Sequence, residues 1–337
     1  MDHQPVRGAL DRARRGAVNV GGEKLISFTD RVVLVTGGGR GLGEAYCHEM
    51  AGRGAALVVH DNGAATDGSG SDPKPADDVA AAIRAAGGQA VACVSDASTE
   101  QGGRAAVELA VAEFGRLDAI VANAGIIHDD PLPEWPTERF EALLRHHLLA
   151  AFHVVRPGFA VMRDAGYGRL VFVSSAAGVF GQPGLTGYAT AKTGMLGLMN
   201  VAALEGAAYG IRANAIMPMG DTRMAMALIG EAGRTADARA FLETLRLDQV
   251  APVVAYLASE SCTLTHRVLS AFRGRVAALQ IGVTGGWFAP DGSFDAEDVA
   301  ANLDRILDPS ELFVPGSIFD EMEHAFAAAP VESQTSP

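Results

Sequence analysis

"RVVLVTGGGRGLG" spans residues 31–43. It joins an unbroken apolar run, Val32–Val35, to a glycine-rich turn and then to a helical pattern. An apolar run without alternation suits a strand covered on both faces, as in a parallel sheet. Glycines just beyond such a strand let backbone N–H groups approach a pyrophosphate, and the N-terminus of the following helix adds partial positive charge. The spacing is Gly37-xxx-Gly41-x-Gly43, not GxGxxG, and a chain with 40 glycines makes the turn by itself a weak signal. The rest of the chain has to supply the context.

That context is a repeating rhythm. "AALVVHD" (55–61), "QAVACVSD" (89–96), "LDAIVANAG" (117–125), "GRLVFVSS" (168–175), "IRANAIMP" (211–218) and "RVAALQIG" (275–282) read as further buried strands. Helical patterns lie between them. One follows Gly43, one starts at Pro75 with Asp77 and Asp78, and one opens at Ser98 and stops at Gly115. Long helices are expected over Glu138–Asp164 and roughly Gly187–Tyr209. This β-α-β-α order predicts an α/β fold, a Rossmann-type doubly wound sheet of about seven parallel strands in a single domain. Its expected divisions are a flexible arm over 1–27, the dinucleotide-binding and catalytic region over 28–288, a helical extension over 289–324 and a tail over 325–337. The Gly/Asp/Ser-rich segment 62–75 is expected as a surface loop. Residues 221–249 form an insertion beyond a strand's carboxyl end, where a lid is expected.

Composition narrows the function. The chain has 337 residues, 48% of them apolar, and a formal net charge of −13, which disfavours binding to a phosphate backbone. Its three cysteines, Cys47, Cys93 and Cys262, show no CxxC or zinc spacing, so no metal site is expected and the thiols read as reduced and cytoplasmic. No apolar run approaches the ~20 residues that span a membrane, and residues 1–24 lack the apolar stretch of a secretory signal.

The cofactor end is read from strand ends. Gly37, Gly39, Arg40, Gly41, Leu42 and Gly43 make the phosphate turn. Asp61 ends the second strand, where a carboxylate accepts from the adenosine ribose hydroxyls and repels a 2′-phosphate, favouring NAD over NADP. Arg40 pulls the other way, because a guanidinium can meet that phosphate. Asp96, beside Ala97, suits either an adenine contact or a helix-capping turn. Asn123, Ala124 and Gly125 leave room for a flat ligand at the sheet's switch point, although an Asn in a tight turn also explains them.

The chemical end lies in "SSAAGVFGQPGLTGYATAK", residues 174–192. Tyr188 and Lys192 are one helical turn apart and share a face. An adjacent ammonium lowers a phenol's pKa, which ordinarily sits near ~10. Ser175, thirteen residues before Tyr188, can hold a substrate oxygen beside it. A tyrosine and lysine at this spacing also arise by chance, so the set gains weight only beside the nucleotide signals.

Thr36–Gly43, Asn123–Gly125, Ser175 and Tyr188–Lys192 together resemble the short-chain dehydrogenase/reductase family in order and spacing, over roughly residues 28–285. The resemblance implies NAD(P)-dependent interconversion of a secondary alcohol and a ketone, with Tyr188 as acid/base and Lys192 also holding the nicotinamide ribose. It implies a homodimer or homotetramer assembled through the two long helices. Three positions depart from the pattern. Ala122 stands where many members have a second Asn, Pro218-Met219 replaces Pro-Gly against the nicotinamide, and His147 stands at the usual catalytic Asn. His147 also resembles the (3R)-hydroxyacyl-CoA dehydrogenase branch of multifunctional β-oxidation enzymes, as do the long loop after the second strand, Thr222-Arg223-Met224 and "VAPVVAYLASESC" (250–262). That likeness fades beyond residue 262. Neutral imidazole can hold the relay water in place of Asn, or His147 can simply pack like its neighbour His146. The implied substrate is a 3-hydroxyacyl-CoA or a steroid-like hydrophobic alcohol. Phe180, Met224, Met226 and Leu228 are candidates for an apolar pocket or for core. The alternative function is a nucleotide-binding regulator that keeps the fold without turnover.

Overall fold

A computed structural model describes residues 25–229, 236–289 and 292–328. Most of the expected arm, part of the lid and most of the tail fall outside these residues. The chain divides into two compact units, Met1–Ala278 and Leu279–Pro337.

The first unit is built on a sheet whose strands are β1 (Val32–Thr36), β2 (Ala56–His60), β3 (Gln89–Cys93), β4 (Ala119–Ala122), β5 (Gly168–Val173), β6 (Ile211–Pro218), β7 (Arg267–Phe272) and β8 (Arg275–Leu279). Their spatial order is 3-2-1-4-5-6-7-8, and β1 to β7 pair in parallel. The order reverses between β1 and β4, so their carboxyl ends frame the crevice where such sheets bind ligands. β1, β2, β4 and β5 are buried along their whole length, because helices cover both faces. The doubly wound parallel sheet expected from the rhythm of the sequence is therefore present.

The seventh strand is not where the sequence pattern placed it. β7 is "RVLSAF", and the "RVAAL" taken for a buried strand is the edge strand β8. Arg273 and Gly274 join the two, both with positive φ (51° and 75°). A two-residue loop of that conformation makes a hairpin, so β8 turns back along β7. β8 is largely exposed, as an edge strand is.

The helices that bear on the site are α1 (Gly41–Ala51), α2 (Lys74–Ala85), α3 (Glu100–Phe114), α4 (Thr137–Leu144), α5 (Ala150–Ala165), α6 (Ala176–Phe180) and α7 (Thr186–Gly206). Thr99, not Ser98, caps α3 by accepting from the Gly102 N–H. The long helix expected over Glu138–Asp164 is broken into α4 and α5 by one π-helical turn, Arg145–Leu149. A π-turn inserts one residue per turn and re-aims the side chains on it. Here it carries His146 and His147. Among the described residues no helix is long and apolar enough to cross a membrane.

The second unit, from Leu279, carries a bridge between Val283 and Phe313, a helix Ala296–Ala301 with an Asp295/Asp298 capping box, and a helix Ile318–Ala328. Phe313 stacks on His324 at 4.0 Å.

Candidate active site

The carboxyl ends of the strands enclose a cavity of about 420 Å³. The glycine turn, the ends of β2, β5 and β6, the segments that follow β2, β3, β4 and β6, the π-turn and α7 line it. The turn is tight: a Cβ at Gly43 would overlap the Gly37 carbonyl oxygen and crowd the Asn123 amide, so a side chain is excluded there. The Asn123 side chain donates to the Thr36 and Gly37 carbonyls (3.0 and 3.2 Å), and Thr36 Oγ1 accepts from the Asn123 and Ala124 N–H groups. β1 and β4 are thereby clipped together at the switch point. Gly41, Leu42 and Gly43 face the cavity at the start of α1, which no side chain caps. Backbone N–H groups left open at a helix start fit a pyrophosphate.

Asp61 stands beside this turn. One carboxylate oxygen accepts from Gly39 N (2.9 Å), the other from Gly63 N (2.7 Å). Arg40 donates to the Gly63 and Ala64 carbonyls. Asp96 accepts from the Ser98 N–H and hydroxyl, both at 2.9 Å, so the turn role is realised, and Asp96 also lines the cavity.

At the other end, Ser175 follows β5 and caps α6, accepting from Ala177 N. Its side chain acts on the Tyr188 phenol and favours the ionised form. Lys192, four residues on, is 3% exposed; its Nζ donates to the Val173 carbonyl at 2.7 Å and lies 5.6 Å from the Tyr188 ring centroid. Burial brings the Lys192 amine down to about 7. Burial also raises the Tyr188 phenol above its usual value, and the Ser175 side chain only partly offsets this. The expected lowering of Tyr188 by an adjacent ammonium is absent from this arrangement, because desolvation dominates both groups. Tyr188 is therefore a neutral phenol, set to donate.

His147 is buried against this pair. Its Nε2 lies 2.7 Å from the Ile126 carbonyl and 3.2 Å from the Ile126 N–H. Burial, and then the nearby Lys192, push its pKa well below the ordinary imidazole value, so the ring is neutral. The Ile126 N–H contact and the Ile126 carbonyl contact call for opposite tautomers; with Nε2–H donating to the carbonyl, the shorter of the two, Nδ1 is a buried acceptor with no partner among the described residues. Gly125 makes the fit possible, since a Cβ there would overlap the imidazole.

Of the candidates read from sequence, the cavity brings together Gly37, Arg40, Gly41, Leu42, Gly43, Asp61, Asp96, Ala97, Asn123, Ala124, Gly125, His147, Tyr188, Lys192, Pro218, Met219 and Met224. Gly39 and Ser175 are not part of the lining, although Gly39 N donates to Asp61 and Ser175 acts on the Tyr188 phenol. Phe180 does not belong: it ends the short helix α6, is 72% exposed and does not line the cavity. Met226 is exposed and away from the lining, and the Leu228 side chain lies outside the described residues. Sequence reasoning missed the loop after β2. Ala64, Ala65 and Thr66 line the cavity, and Thr66 accepts from Ile127 N, tying the loop to the end of β4. It also missed Arg223, although the segment holding it had been singled out by resemblance.

Comparison with known proteins agrees with this geometry. The family model for short chain dehydrogenases matches residues 31–231. The chain is 40% identical over 292 residues to Rv0148 of Mycobacterium tuberculosis, named as a short-chain type dehydrogenase/reductase, covering 85% of this chain and 97% of that one. It is 39% identical over 237 residues to the peroxisomal multifunctional enzyme type 2 of Mus musculus, covering 70% of this chain and 31% of that one. The chain thus spans about a third of that relative's length. A solved short chain dehydrogenase from Mycobacterium avium superposes with a TM-score of 0.71 at 30% identity, covering 85% of this chain and 99% of that one. The chain belongs to the short-chain dehydrogenase/reductase family, enzymes that interconvert CH–OH and carbonyl groups with a nicotinamide cofactor.

Proposed function

We propose that this protein is an NAD-dependent dehydrogenase/reductase that interconverts a secondary alcohol and a ketone. The observation that carries the reading is Tyr188 with buried Lys192 one helical turn on, its Nζ 5.6 Å from the Tyr188 ring centroid, lining a cavity that the glycine turn and Asp61 also line. A nicotinamide dinucleotide held by the glycine turn and Asp61 would supply or accept the hydride. The protein's part is to bind, orient and handle the proton. In reduction the neutral Tyr188 phenol gives its proton to the oxygen that gains negative charge, while Ser175 holds that oxygen. In oxidation Tyr188 first gives up its own proton through Lys192 and the relay to solvent, and the phenolate so formed, stabilised by Lys192 as ammonium, takes the alcohol's proton. The unpartnered Nδ1 of His147 accepts from a water and orients it toward Lys192, in the place where the family uses Asn.

Asp61 accepts from the adenosine ribose hydroxyls, which favours NAD. The substrate reading is a 3-hydroxyacyl-CoA, by the resemblance carried at His147, with a steroid-like hydrophobic alcohol as the second class. Exposed apolar residues on the π-turn, α5 and α7, Leu149, Phe152, Val201 and Leu204, support assembly as a homodimer or homotetramer.

Two titrations test the reading: NADH and NADPH binding to the purified full chain and to Asp61→Ala, then NAD reduction over a panel of 3-hydroxyacyl-CoAs and hydroxysteroids. Tighter NADH than NADPH binding, relaxed by the substitution, together with turnover of one panel class, is the expected result. Binding of neither dinucleotide overturns it.

A further inference from the structure

Asp61 does not stand alone at the adenosine end of the cavity. Arg40 stands on one side, held by NH1 on the Gly63 and Ala64 carbonyls, which leaves the rest of its guanidinium uncommitted. Arg223 enters from the segment after β6 and lines the same cavity. Its neighbour Thr222 lies over the glycine turn, 3.6 Å from the position of a Cβ on Gly41. Arg223 lies within electrostatic reach of both Arg40 and Asp61, and after burial it is the Arg40 charge that most lowers its pKa. Its guanidinium has no hydrogen-bond or ion-pair partner among the described residues.

Two like charges held near one carboxylate are an arrangement that an added anion relieves. The adenosine ribose of NADP carries such an anion, a phosphate of about −1.5 to −2 charge at pH 7. Guanidinium is the side chain best shaped to take it, through paired N–H donors.

We propose that Arg223 is a specificity-determining residue for the cofactor: with Arg40 it forms a two-guanidinium site beside Asp61 that gives the protein usable affinity for the 2′-phosphorylated dinucleotide. This rests on the reading of Asp61 as the ribose partner. Asp61 sets a preference for NAD, and Arg223 limits how strong that preference is.

The test is the ratio Kd(NADPH)/Kd(NADH), read by fluorescence titration of the full chain; as a ratio it is insensitive to the fraction of folded protein. The wild type is expected to bind NADPH measurably but more weakly than NADH. Arg223→Gln should raise the ratio about tenfold while the NADH constant moves less than about twofold, the loss of one charge-assisted contact to the 2′-phosphate alone. Asp61→Asn should lower the ratio, and Asp61→Asn combined with Arg223→Gln should lose most of that gain. Equal weakening of both dinucleotides by Arg223→Gln would place the arginine on the shared pyrophosphate and overturn the proposal. So would an unchanged ratio. Wild-type protein that binds neither dinucleotide would remove the NAD reading itself, whereas an Asp61→Asn gain independent of Arg223 would remove only this inference.

Discussion

His147 and Tyr188 meet edge to face, with ring centroids 5.2 Å apart and planes at 87°. The contact exists because the π-turn Arg145–Leu149 swings His147 inward and Gly125 leaves room for the ring. It places a neutral imidazole, anchored through Nε2 to Ile126, against the phenol that carries the proposed proton chemistry. Under the proposed function only Nδ1 is left to act, so the ring would serve as a neutral acceptor for a relay water and not as a cation.

His147→Ala is therefore expected to lower kcat by about 10-fold or more, within the range of positioned acid–base assistance, with KM for the alcohol changed less than about threefold. His147→Asn should recover most of the loss, and His147→Leu should not. Steady-state kinetics across pH on all three variants checks this. A role confined to packing would instead let Leu retain activity.

Gly125→Ala should reproduce the His147→Ala defect without touching the imidazole chemically, since the added methyl occupies the ring's place. Overpacking of this kind destabilises by roughly 1–3 kcal/mol. A urea midpoint and kcat measured together check both parts.

Lys192 makes stability depend on pH. Its amine sits at about 7 in the folded chain against 10.5 as the reference value. Below pH 7 both folded and unfolded chains carry the ammonium, and its burial cost is present in full. Between about 7 and 10.5 the unfolded chain binds a proton that the folded chain has lost, so this group's contribution to stability rises with pH. Lys192→Met should therefore be more stable relative to wild type at pH 6 than at pH 9.5, by roughly a few kcal/mol. Denaturant midpoints at the two pH values check it, and a difference independent of pH would contradict it.

Asp118 lies at the opposite end of the sheet, just before β4, with its side chain 5% exposed. It accepts from Arg31 Nη1 (2.9 Å), from Arg116 Nε and Nη2 (2.8 and 2.6 Å) and from Val32 N (2.8 Å). Asp118→Ala leaves these donors without their acceptor and should cost about 3 kcal/mol. Remaining folded protein should keep wild-type kcat, because the network is remote from the cavity.

The parallel sheet and both ends of the site were legible in the sequence for a physical reason. Buried strands must be apolar throughout, and glycines, Asp61, Tyr188 and Lys192 sit at offsets fixed by backbone geometry. Four features were not legible. β7 reads as "RVLSAF", with too little apolar continuity to stand out, while the more apolar "RVAAL" proved to be the edge of a hairpin. The π-turn has no period of its own, so residues 145–149 read as part of one continuous helix, and His147 stood out only through the family resemblance. Phe180 is apolar but ends a five-residue helix with no buried face. The pKa order of Tyr188 and Lys192 depends on burial, which spacing along a helix does not reveal.

The most direct test of the central claim is alcohol-dependent NADH formation by the full chain and by Tyr188→Phe, using the best substrate of the panel, with NADH binding measured on both. The account predicts a loss in kcat of about 10²–10⁴-fold with the NADH constant changed less than about threefold. Undiminished turnover by Tyr188→Phe would contradict it.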